Sequence, residues 1–263
     1  MIKVNGTVIK QNHFPDNTLF IKMEGKPLGP MHVEWFYKND AELFTLICIR
    51  KYFGDKYPII LTMPYVPHAR MDRVKNEEDV FTLKYFCEVI NSLNFWRVQV
   101  LDVHSNVALA LLDNIEQLQV APYIRNASQF ICDERGDYPT LYFPDEGAMK
   151  RYSEYAEGEP YAFGIKKRDW NTGFIEGIQV QNEEVIKGKD VFIVDDICSK
   201  GGTFYHSAKK LKELGAENIY LYITHCENTI LEGDLLTSGL IEKVYTTNSI
   251  FTKEHEKIEV FEL

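Results

Sequence analysis

The 263 residues contain no apolar run of bilayer-spanning length and no leader-like start. Both absences point to a soluble protein with no membrane partner, and the cytoplasm is the expected compartment. There is no Cys-x-x-Cys pair. Cys48, Cys87, Cys132, Cys198 and Cys226 are odd in number and widely spaced, which argues against a zinc or disulfide framework and fits a reducing compartment. Positive charge is scarce: 29 Lys and Arg stand against 39 Asp and Glu, a formal net charge of −10. That balance disfavours nucleic acid and anionic membrane surfaces as partners, while leaving room for local basic patches. No low-complexity tract and no detectable internal repeat is present.

What is there suffices for a real core, with 45% hydrophobic residues. The length allows one large or two small domains. Alternating strand and helix signals imply an α/β fold with mainly parallel sheets. The cleanest break lies near Pro122, predicting domains at 1–121 and 122–263.

The most informative stretch is Val191 to Gly215. Val191–Val194 reads as a short buried strand. Phe204, Ala208, Leu211 and Leu214 share one face of a following helix, and Gly215 is placed to end it. Between them lie Asp195-Asp196 and then Ser199-Lys200-Gly201-Gly202-Thr203. Two glycines let backbone N–H groups turn around an anion, and a helix start adds positive potential. Ser199 and Thr203 offer hydroxyls and Lys200 a charge. Two carboxylates beside a phosphate need a separate task, and accepting hydrogen bonds from vicinal sugar hydroxyls is the natural one. The loop therefore reads as a grip for a ribose 5-phosphoryl group. An ordinary Gly-rich turn is the plainer reading of a lone GG, but not of two acids followed by SKGGT.

Other predicted strands also end in polar residues. Ile59–Met63 leads into a loop with Pro64 and Pro67, then Arg70, Asp72 and Arg73. Arg97–Val103 ends at Asp102 and His104, and Thr140–Phe143 at Asp145-Glu146-Gly147. Tyr161–Ile165 ends at Lys166-Lys167-Arg168, followed by a predicted mobile loop at Asp169–Gly173, and Asn218–Thr224 ends at Thr224-His225. Helices are expected over 39–53, capped by Asn39 or Asp40, and over 82–93. Residues 1–33 read as short strands and turns, with a turn at Phe14–Thr18, and 241–251 as a strand and turn. Charge clusters are usually solvated faces and a lone His is usually structural. Repeated placement at strand ends, where ligands collect in open α/β sheets, favours function instead.

VDDICSKGGT resembles the signature loop of the phosphoribosyltransferase fold. Taken in order, PYVPHARMDR, LDVHS, FPDEGAMKR, IKKR and VDDICSKGGT resemble the ribose-phosphate diphosphokinases, or phosphoribosyl pyrophosphate synthetases. The resemblance covers most of the chain. It implies two phosphoribosyltransferase-like α/β domains, an N-terminal one on the ATP side and a C-terminal one that binds ribose phosphate. It implies transfer of the β,γ-diphosphate of ATP to the anomeric hydroxyl of ribose 5-phosphate, with Mg²⁺, as in nucleotide biosynthesis. Phe14, Asp16, Arg70, Asp72, Arg73 and His104 would bind ATP. His104 and Asp145 would organise Mg²⁺, and Asp145, Glu146 and Gly147 would mark the diphosphate side. Lys166 and Arg168 match the catalytic Lys-x-Arg. Asp195 and Asp196 would hold the ribose hydroxyls, and Ser199, Lys200, Gly201, Gly202 and Thr203 the 5′-phosphate. A homo-oligomer, dimer or hexamer, is also implied.

The chain departs from the family pattern at Ser199-Lys200, at Thr18 where an acid is usual, and in a shortened N-terminal region. ADP-ribose, in NAD metabolism, therefore stands as an alternative acceptor, as related phage-type members suggest. A phosphoribosyltransferase that consumes phosphoribosyl pyrophosphate, or a non-catalytic regulatory homologue, are the readings from other classes.

Overall fold

The computed structural model describes residues 1–23, 29–54, 57–168 and 175–263, and for 166–168 and 175–176 it describes the backbone alone. The chain divides into two compact units, Met1–Gln119 and Val120–Leu263. Among the described residues no helix is long and apolar enough to cross a membrane.

The first unit contains β1 (Ile2–Val4), β2 (Thr7–Val8), β3 (Asn12–His13), β4 (Leu19–Phe20), β5 (Met31–Trp35), α1 (Ala41–Phe53), β6 (Ile59–Thr62), α2 (Thr82–Ser92), β7 (Arg97–Leu101), α3 (Asn106–Leu111) and β8 (Ile115–Leu118). Its main sheet runs β2-β1-β5-β6-β7-β8, with β5 to β8 parallel. Strands added one after another in one direction, through right-handed crossovers, place α1, α2 and α3 on one face. That face takes the fully buried residues Val33, Trp35, Leu61 and Val100. The opposite face is polar: His32 meets Thr62 at 2.6 Å, Thr62 donates to Gln99 at 2.7 Å, and Gln99 donates to Glu116 at 2.9 Å. At the start of α1 the side chain of Asn39, not Asp40, accepts the Ala41 N–H at 3.1 Å.

The second unit contains α4 (Ala121–Arg135), β9 (Thr140–Phe143), α5 (Glu146–Tyr152), β10 (Ala162–Arg168), β11 (Ile175–Gln181), β12 (Val191–Cys198), α6 (Gly202–Glu213), β13 (Ile219–Cys226), β14 (Lys243–Thr247) and β15 (Ile258–Phe261). The sheet order is β11-β10-β9-β12-β13-β14-β15, parallel except for β11. From β9 the chain builds outward one way to β10, and from β12 the other way to β13, β14 and β15. The order thus reverses between β9 and β12, and the crevice at the carboxyl ends of these two strands is the switch point where ligands collect in such sheets.

The α/β architecture is as the sequence predicts, but several edges differ. Pro122 falls in the first turn of α4, where a missing N–H is tolerated, and the units divide just before it. β12 does not stop at Val194: it continues to Cys198, so Asp195 and Asp196 are strand residues rather than loop residues. Flanking pairs hold this extension, among them Asp195 with Ile223 and Cys198 with Cys226. β13 likewise runs past Thr224 and His225, which are buried; His225 meets Ser249 at 2.9 Å. That pair belongs to the core, not to a strand exit. Lys166–Arg168 form the last residues of β10 rather than a tail after it, paired antiparallel with β11. The loop expected at Asp169–Gly173 lies outside the described residues. α3, β8, α4, α5, β11 and β15 have no counterpart among the elements expected from the sequence.

Gly164 on β10 marks a close approach. A Cβ there would lie 2.6 Å from Tyr142 Oη and 2.7 Å from Pro144 O. Gly164→Ala is expected to cost about 1–3 kcal/mol by overpacking. Denaturant unfolding checks this, and an unchanged midpoint would contradict it.

Candidate active site

In the second unit the site grows out of β12. Val191–Val194 are essentially inaccessible because β9 and β13 flank them and both sheet faces are covered. At Asp195 the apolar run ends while the strand continues, so Asp195 and Asp196 point to opposite faces. The sequence gives both acids one task, but their surroundings differ. Asp196 is buried and accepts a charged hydrogen bond from Arg151 on α5 at 2.9 Å. Asp195 is half-buried, and its Oδ1 accepts the Asp196 N–H at 3.0 Å. Removal from water pushes the Asp195 carboxyl well above the usual range, and the negative charges of Asp196 and then Asp145 push the same way.

After Cys198 the chain turns through Ser199 and Lys200 to Gly201, whose φ of +80° is the left-handed region that suits glycine. α6 starts at Gly202, and no side chain caps its first turn. Gly202 and Thr203 are exposed there. Uncapped N–H groups at a helix start form an anion site. Ser199 is turned elsewhere: its hydroxyl meets Thr229 Oγ1 at 3.1 Å, and Thr229 donates to Glu227 at 3.1 Å. A hydroxyl has one proton, so Ser199 donates to Thr229 and keeps none for a ligand. Lys200 lies 3.4 Å from Glu232, both side chains being exposed.

Across the switch point, Asp145 is the N-cap of α5 and accepts the Ala148 N–H at 3.0 Å. Gly147 leaves room for that carboxylate, since a Cβ there would sit 3.1 Å from Asp145 Oδ1. Glu146 faces solvent with Lys150 at 3.9 Å, a surface pair one helical turn long. The structure therefore brings Asp145, Asp195, Asp196 and the 199–203 loop to one end of one sheet. Arg151, to which the sequence pattern assigns no role, joins them. Its only signal was position, one helical turn and more beyond Asp145.

In the first unit, Arg70, Asp72 and Arg73 follow β6, and His104 and Ser105 follow β7. Arg73 donates to Asp72 at 2.8 and 3.3 Å. This bond holds the Asp72 carboxyl below its ordinary value; burial opposes it, and Ser105 and His104 assist. The two strand exits therefore meet at Asp72. Asp102, just before His104, is buried with φ of +43°, a rare backbone for a non-glycine residue. Phe14 and Asp16 belong to the β3–β4 hairpin, a two-stranded sheet of its own. Phe14 is exposed, with Phe20 at 5.2 Å, and Asp16 closes the turn by accepting from Thr18 N at 3.0 Å and Oγ1 at 2.7 Å. Lys166 and Arg168 are placed by their backbone on β10; their side chains lie outside the description.

The raised Asp195 value has a direct consequence. The folded protein holds that proton more tightly than the unfolded chain does. Asp195 therefore lowers stability as pH rises from the ordinary 3.8 through its raised value. Asp195→Asn is expected to raise the melting temperature near neutral pH, with the gain shrinking toward about pH 4. Thermal unfolding across that range checks it; a loss at neutral pH would contradict it. Arg151→Gln should act in the opposite sense. It removes the guanidinium that buried Asp196 accepts from and costs roughly 2–3 kcal/mol, less than a fully enclosed pair because Arg151 keeps solvent contact.

The chain is similar to known proteins in sequence and in fold. The family model for the phosphoribosyl transferase domain matches residues 149–232. A ribose-phosphate pyrophosphokinase of Pyrococcus furiosus is 28% identical over 257 residues, covering 94% of this chain and 87% of the relative. Ribose-phosphate pyrophosphokinase 2 of Enterococcus faecalis is 30% identical, covering 84% of this chain and 68% of the relative. Among solved structures, phosphoribosylpyrophosphate synthetase from Mycobacterium smegmatis superposes with a TM-score of 0.75 over 97% of this chain and 86% of the other, at 18% identity. That last likeness concerns the fold. With the Enterococcus relative matched at this level over two thirds of its length, the chain belongs to the ribose-phosphate pyrophosphokinase family and is an enzyme of the pyrophosphokinase class.

Proposed function

We propose that the chain transfers the β,γ-diphosphate of ATP to the anomeric hydroxyl of ribose 5-phosphate, giving phosphoribosyl pyrophosphate and AMP. The observation that carries this reading is the pairing, within β12 and the start of α6, of the half-buried Asp195 carboxyl with an uncapped helix start. One suits sugar hydroxyls, the other a phosphate. The names of the relatives support ribose 5-phosphate over ADP-ribose as the acceptor.

In this reading the 5′-phosphate lies on the N–H groups of Gly201, Gly202 and Thr203 and on the Thr203 hydroxyl, with Lys200 nearby. Asp195 accepts from the ribose hydroxyls, and Asp196 stays with Arg151. The C1 hydroxyl oxygen attacks the β-phosphorus. The bond from that phosphorus to the oxygen bridging it to the α-phosphate breaks, AMP leaves with that oxygen, and the hydroxyl proton passes to solvent. Arg70, Asp72, Arg73 and His104 serve the nucleotide, with Phe14 and Asp16 on the adenine side. Asp145, Glu146 and Gly147 serve the diphosphate, and Lys166 and Arg168 the charge of the transition state. Little covalent work falls to the protein in such a transfer, so positioning and charge neutralisation dominate.

Mg²⁺ fits the residues present. Among the described residues no three His, Cys, Asp or Glu side chains form a metal cage. Mg²⁺ needs none, being held by one or two carboxylates plus substrate phosphates. The mutual repulsion of Asp195 and Asp145 is an excess of negative charge that a cation relieves. In the second unit Asp145 would hold it, and it would neutralise phosphate charge.

AMP release from ATP and Mg²⁺, with ribose 5-phosphate and ADP-ribose in parallel, tests the reading. Ribose 5-phosphate is expected to be the better acceptor. Faster AMP release with ADP-ribose would replace the acceptor, and none with either would overturn the reaction. Lys166→Ala and Arg168→Ala are each expected to lower turnover ~10²-fold, the scale of a lost transition-state donor. Near-normal turnover in both would remove them from the mechanism.

A further inference from the structure

The loop at 199–203 has a second wall, contributed by the chain after β13. The Glu227 N–H donates to Cys198 O at 2.8 Å. Thr229 Oγ1 receives Ser199 at 3.1 Å, and Glu232 meets Lys200 at 3.4 Å. Buried Leu235 lies against Gly201, where a Cβ would come within 2.9 Å of Leu235 Cδ2. Four consecutive residues, Cys198 to Gly201, are thus each met by one short segment.

Gly233 is the tightest point. A Cβ there would fall 1.9 Å from Lys200 O and 2.9 Å from its carbonyl carbon. Its φ of −97° and ψ of 171° suit any residue, so conformation does not call for glycine here. The close approach of the Lys200 backbone does. A backbone that presses against a loop at van der Waals distance fixes where the next amides point, because packed interiors yield little.

We propose that the Glu227–Leu235 segment is the positioning wall of the acceptor loop, with Gly233 and Thr229 as its positioning residues. Gly233 sets the height of the Lys200–Gly201 peptide by contact. Thr229 sets the turn at Ser199 by accepting its hydrogen bond while donating its own to Glu227. Neither touches substrate; both aim the Gly201–Thr203 N–H groups. The inference rests on the reading of residues 199–203 as the acceptor-phosphate loop.

The test uses full-length enzyme and measures KM for ribose 5-phosphate, KM for ATP and kcat in Gly233→Ala, Thr229→Val, Thr229→Ser and Thr203→Ala, with melting temperatures. Thr229→Val is expected to raise the acceptor KM about fivefold, the scale of one lost hydrogen bond, and Gly233→Ala by more. The ATP KM should stay within about twofold, and Thr229→Ser should behave as wild type because it keeps the hydroxyl. If Gly233→Ala does not fold, the two Thr229 variants decide. An unchanged acceptor KM in folded Thr229→Val, with a raised one in Thr203→Ala, overturns the wall and leaves the loop reading intact. Equal rises in both KM values overturn it too, as general damage. If Thr203→Ala itself leaves the acceptor KM unchanged, the loop reading fails, and the wall falls with it.

Discussion

Everything in the second unit depends on how β12 ends. Four inaccessible apolar residues carry the strand through the centre of the sheet between β9 and β13, and β13 alone then holds it extended for four residues more. A pair of carboxylates is thereby carried into a place where water cannot fully solvate them. Burying charge in this way is unfavourable unless each charge is matched. One match is internal, between Arg151 and Asp196. The other is left for a ligand.

In the proposed reading that asymmetry gives the two acids separate tasks. Asp196 is committed, so it serves as a fixed point for α5 and β12. Asp195 retains a proton more readily than an ordinary carboxyl and can answer a hydroxyl group that arrives beside it. The helix start at Gly202 offers the opposite charge a few residues on. A ligand with hydroxyls at one end and a phosphate at the other satisfies both. The switch point between β9 and β12 adds Asp145 from the other side. Instability stored at an active site in this manner is the usual trade between stability and function.

Much of this was legible in the sequence because the strongest signals are local. Val191–Val194, the two acids and the glycine pair lie within a dozen residues, and their order alone suggests strand, sugar contact and phosphate turn. Gly215 marks the helix end and has a left-handed φ of +91° as such an end requires. What stayed hidden is what long-range pairing decides. Asp196 meets Arg151 45 residues away, and Ser199 meets Thr229 30 residues away. No local pattern announces either. The extension of β12 through its acids is hidden for the same reason: acids disfavour strands locally, and only pairing with β13 overrides this. α4 escaped because Pro122 reads as a break, although at a helix start proline is well tolerated.

The most direct measurement is a crystal structure of the enzyme with ribose 5-phosphate. The account predicts the phosphate on the Gly201–Thr203 N–H groups, the sugar hydroxyls on Asp195, and the Arg151–Asp196 pair intact. A sugar phosphate bound away from the β9–β12 switch point, or Asp195 left without contact to it, would contradict the account.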